Sequence, residues 1–150
     1  MPSPRLDSLP LDPLRLDLRA VAAAGGVVYA VAVLTWMLSN GVYFGTGDPL
    51  STAFAAGYAL FGLWVMAAVP LYLLGRASLA APLLATGWAL GNTAYQWAYG
   101  THLHPLSSHL TVWPLLFALV LAAGAVEAVI RAGTDRVVGV GGLRRLWSAE

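Results

Sequence analysis

Thr35-Trp36-Met37-Leu38-Ser39-Asn40-Gly41-Val42-Tyr43 returns 52 positions on as Gly87-Trp88-Ala89-Leu90-Gly91-Asn92-Thr93-Ala94-Tyr95. The shared pattern is small-Trp-x-Leu-small-Asn-x-x-Tyr, each time near the end of an apolar run. Asn40 and Asn92 are the only asparagines in the chain, so their match argues for duplication. Working outward, Gly45-Thr46 matches Gly100-Thr101, and Pro49-Leu50-Ser51 matches Pro105-Leu106-Ser107. Further on, Leu60-Phe61-Gly62-Leu63 matches Leu116-Phe117-Ala118-Leu119. The offset drifts from 52 to 55 to 56, which gives the second copy slightly longer loops.

Composition places both copies in a membrane. Of 150 residues, 59% are hydrophobic and 10% charged, where soluble domains carry roughly a quarter charged. Between Ala20 and Ile130 the only formal charges are Asp48, Arg76 and Glu127, which leaves uninterrupted runs of spanning length. The absence of cysteine excludes disulfides, thiolate metal sites and thiol catalysis. A net charge of +1 with no basic stripe outside the flanks gives no reason to expect nucleic acid.

Four spans are expected, at about 20–43, 52–74, 79–99 and 109–130, each close to the roughly 20 residues that cross about 30 Å of hydrocarbon. The first run reaches Leu38, longer than a signal-peptide core, so it reads as a retained span. All eight basic residues are arginine. Arg5, Arg15 and Arg19 precede the first span, Arg76 lies between the second and third, and Arg131, Arg136, Arg144 and Arg145 follow the fourth. The other two loops have none, so the termini and the middle loop are expected on the cytoplasmic side.

The expected fold is therefore an all-α integral membrane protein, a multi-pass protein of the cell membrane with N-in/C-in topology. Its four transmembrane helices come from two tandem parallel two-helix repeats. Residues 1–19 form an interfacial arm, 20–76 the first repeat, 77–131 the second and 132–150 a cytoplasmic tail. Two-span units insert with the same orientation, which relates them by an axis along the membrane normal.

On a helix, Thr35, Trp36, Ser39, Asn40 and Tyr43 occupy an arc of about 140°, as do Gly87, Trp88, Gly91, Asn92 and Tyr95. Small residues four apart permit close helix approach, and asparagine in hydrocarbon needs a partner. The expectation is that spans one and three pack along these arcs and bring the amides together. Trp36, Asn40, Tyr43, Trp88, Asn92, Tyr95 and Gln96 then form either a helix contact or a small polar-aromatic ligand site.

Other candidates carry blander alternatives. His102, His104 and His109 form a loop cluster that is weakly specific for zinc or copper, and exposed loop histidines are the plainer reading. Asp48-Pro49 and His104-Pro105 read as helix starts. Glu127 is the one acid inside a span and a candidate for proton coupling. Arg131 four residues later offers it a salt bridge instead. No acid/base or nucleophile constellation points to catalysis, and no cofactor is implied.

The functional expectation is a small non-catalytic binding or accessory subunit of a membrane complex, partnered by lipid and by a homo-oligomer or other membrane subunits. The alternatives are an oligomeric small-solute transporter or channel built on the Asn/Trp/Tyr site, and a membrane redox or metal-binding protein.

Overall fold

The computed structural model describes residues 17–45, 47–100 and 103–137, the last three by their backbone alone. The expected arm before Asp17, His102 and most of the tail lie outside the described residues. Four helices follow one another: α1 (Leu18–Ser39), α2 (Pro49–Ala77), α3 (Ala81–Tyr99) and α4 (Pro105–Val137). Three of them, α1, α2 and α4, are long and apolar enough to cross a membrane. With 19 residues, α3 reaches about 28 Å, but Asn92, Thr93 and Gln96 dilute its apolar character.

The helix starts follow from local chemistry. Asp17 accepts from the Arg19 N–H at the head of α1. Asp48 accepts from both the backbone N–H and the hydroxyl of Ser51, with Pro49 in the first turn of α2. Pro105 opens α4, and the Ser108 N–H bonds the His104 carbonyl. The fourth helix therefore begins at the expected His104-Pro105 start, a turn ahead of the span expected from His109, because proline costs nothing where the N–H has no helical partner.

Close approaches are made at glycines, as suits helices whose apolar surfaces gain little over lipid by meeting each other. Gly25 and Gly26 of α1 lie against Leu71, Trp64 and Ala68 of α2, and Gly75 of α2 lies against Leu18. Gly124 of α4 holds Pro82 of α3. Between the two hairpins, α2 packs on both α3 and α4. At the α2–α4 crossing, a Cβ on Gly62 would sit 2.5 Å from the Trp113 ring, which also meets Tyr58 and Phe61. The core runs from Ala30, Val33 and Met37 through Ala59 and Leu63 to Leu106 and Leu110.

This packing overturns the expected seam. The first and third helices share no extended interface; α2 is the central element. They touch instead through Trp36 and Trp97, edge to face with ring centres 5.7 Å apart. The physical reason is where the small residues face. Gly25, Gly26 and Gly62 point at neighbouring helices, whereas a Cβ on Gly87 or Gly91 would meet nothing within 4 Å.

Candidate functional site: two copies of one motif in two conformations

The first copy of the motif ends a helix. Asn40 is the C-cap of α1, and Gly41 follows with φ of +91°. The Gly41 N–H bonds the Leu38 carbonyl and the Val42 N–H reaches back to Met37. Those two bonds and the glycine define a Schellman stop, sealed by Met37 and Val42, which are both buried. The Asn40 amide is used locally, donating to the Trp36 carbonyl at 2.7 Å. The chain leaves the helix before Tyr43, which is 82% exposed. The expected span to Tyr43 is thus four residues too long, and the arc that was to include Tyr43 does not form.

The second copy stays helical. Thr93 stands where the first copy has Gly41, and α3 runs on to Tyr99. The Thr93 hydroxyl donates to the Ala89 carbonyl at 2.9 Å. Its single proton is thereby committed, so Thr93 accepts at 2.8 Å from His109 Nδ1–H. His109 is 2% exposed and shares a face of α4 with buried Leu106 and Leu110. It is a buried α3–α4 contact, not the exposed loop histidine that its neighbourhood suggested. The signal was in the sequence: 106, 109 and 110 have the spacing of an inward helix face.

Of the remaining histidine candidates, His104 does not share that burial. His104 is exposed at the head of α4, and His102 lies outside the described residues. Among the described residues no three His, Cys, Asp or Glu side chains are grouped to hold a metal.

Of the other sequence candidates, the structure gathers some and separates the rest. Asn40 and Val42 meet Trp97, His104 and Ser107 around a cavity of about 110 Å³ at the end of the bundle that carries the α1–α2 and α3–α4 loops. Gln96 is half-buried. Trp88 and Tyr95 face outward at 62% and 57% exposure, and Asn92 is exposed beside them. Tyr95 rests on Tyr99 with ring centres 4.6 Å apart. No hydrogen-bond partner within the described residues engages the Asn92 side chain.

Glu127 has a structural partner that sequence reasoning missed. Its Oε2 accepts from the Ala81 N–H at 2.7 Å, capping α3 from the neighbouring helix, and its Oε1 pairs with Arg131. Ala80, at the N-cap position, has no side chain with which to do so. The expected salt bridge to Arg131 is present. The cap is invisible in sequence because its partners are 46 residues apart.

Comparison with protein-family models, with curated proteins and with solved structures finds no match to this chain.

Proposed function

We propose that the chain is a four-span membrane protein built from two tandem parallel hairpins, with both termini cytoplasmic, and that it acts as a non-catalytic binding subunit of a membrane assembly. The matched motifs and the one-sided arginine distribution support the topology. One observation supports the binding role: the second motif turns Trp88, Asn92 and Tyr95 outward together, with no hydrogen-bond partner for the Asn92 amide among the described residues. Lipid satisfies an outward valine such as Val28 on α1, but it cannot satisfy an amide. A neighbouring polypeptide covers that face most economically, and α3, the one helix of the four not apolar enough to stand as a candidate span, gains from being covered.

A photo-crosslinking residue at Trp88, in native membranes, tests this reading. Protein adducts are expected from position 88 and lipid adducts alone from position 28. Lipid adducts alone from both positions would remove the binding role.

A further inference from the structure

The outward face of α3 has an internal order that goes beyond being polar and aromatic. Leu84, Trp88, Gly91 and Tyr95 are separated by four, three and four residues, the spacing of a two-helix seam. All four lie outside the bundle, with Leu84 at 71% exposure and open space over Gly91. Gly87 and Asn92 flank the seam on opposite sides, and both are exposed. None of the other helices packs on this line of residues.

We infer that the occupant of this face is a second copy of this chain, joined α3 to α3 about a twofold axis along the membrane normal. The inference rests on the proposed binding role and names the partner. Two copies inserted by the same route have the same orientation, so a closed dimer sets α3 parallel to α3. In that arrangement the seam complements itself. Trp88 enters a hole formed by Leu84, Gly87, Trp88 and Gly91 of the second copy, two of whose corners are glycine. Tyr95 enters a hole formed by Gly91, Ala94, Tyr95 and Ala98, where three corners are small. A large ring therefore meets missing side chains at each level.

The flanks match as well. In a parallel pair, the residue five positions after a flanking residue is its neighbour across the seam. Asn92 is five positions after Gly87, so each amide faces a backbone that carries no side chain in the other copy. The Asn92 NH₂ donates there to backbone carbonyl oxygen, twice per dimer by symmetry. An unrelated subunit would have to reproduce both the holes and this register.

The chain has no cysteine, so single-cysteine variants report cleanly. Leu84→Cys is reconstituted in phosphatidylcholine–phosphatidylglycerol vesicles and oxidised, with Val126→Cys on α4 as the control. Val126 lies within a turn of Gly124, which touches Pro82, so the control sits at nearly the same depth. Leu84→Cys is expected to yield a covalent dimer and Val126→Cys to remain monomeric. In the Leu84→Cys background, Gly87→Leu fills the hole and is expected to lower dimer yield by about tenfold, and Asn92→Leu by several-fold. Both positions are exposed in the single copy, so each variant's own fold, checked by helicity and melting, is expected to hold.

Equal crosslinking of Leu84→Cys and Val126→Cys, or a yield unaffected by Gly87→Leu, would overturn the dimer. If Leu84→Cys gives no dimer while position 88 captures a different protein in native membranes, the second copy is the wrong occupant and the binding role stands. If neither position forms a protein adduct, both ideas fall together.

Discussion

The two motifs keep the same Trp, Leu, Asn and Tyr, yet one closes a helix and the other continues through it. The difference lies at the residue after the asparagine. Gly41 adopts the left-handed conformation that releases the chain, and Asn40 turns back on its own helix. Thr93 keeps α3 helical, with its hydroxyl folded onto Ala89 and fixed by His109. As a result the first amide is spent inside its own turn, while the second is displayed on the surface. The residue after the asparagine thus separates a helix that stops from one that runs on.

The largest effect is expected where the second motif is anchored. Thr93→Val keeps the shape but leaves the buried His109 N–H without an acceptor, at a cost of about 1–3 kcal/mol. Thermal melts in detergent should show the loss. Adding His109→Leu should recover most of it, because removing both partners leaves no unpaired polar group. A double variant as unstable as the sum of the singles would detach His109 from the account.

A slightly smaller effect separates the glycine that ends α1 from one that lies within a helix. Nothing crowds Gly41, so Gly41→Ala is penalised by backbone conformation alone, about 1–2 kcal/mol. Gly57, inside α2 and equally uncrowded, has no positive φ, and Gly57→Ala should stabilise by about 0.5–1 kcal/mol. Opposite signs in parallel melts are expected; equal signs would contradict the helix stop at Asn40.

The smallest effect distinguishes the helix starts at Asp48-Pro49 and His104-Pro105. Asp48 in the first corresponds to His104 in the second. Hydrogen bonds from the Ser51 N–H and hydroxyl hold the Asp48 carboxyl below its ordinary value of 3.8. Its contribution is therefore complete above that ordinary value and is lost as pH falls through the lower folded value. The melting temperature should fall over that acid window. Asp48→Asn, which still caps but does not titrate, should flatten the fall.

What could be read from sequence was what depends on neighbours along the chain. The apolar runs located the helices, and Asp48-Pro49 and His104-Pro105 marked two of their starts. The Glu127–Arg131 pair followed from a separation of four. What could not be read depends on which way a residue faces. Gly41 and Thr93 fell at an unweighted position of the repeat, so their opposite backbone demands were averaged away. Small residues at 35, 39, 87 and 91 have the spacing of a helix contact, but Gly62, inside the matched Leu-Phe-Gly-Leu, makes the close approach to α4. His109 follows the Pro105 helix start by four residues, and only its spacing with Leu106 and Leu110 marks it as inward-facing.

The central claim is that the two motifs differ in backbone conformation on the far side of the asparagine. Solid-state NMR of the labelled protein in lipid bilayers measures this directly through the Cα shifts of residues 41–43 and 93–95 and the Cβ shifts of all of them but Gly41. The account predicts helical shifts from Thr93 through Tyr95 and non-helical shifts from Gly41 through Tyr43. Helical shifts across both stretches would contradict it.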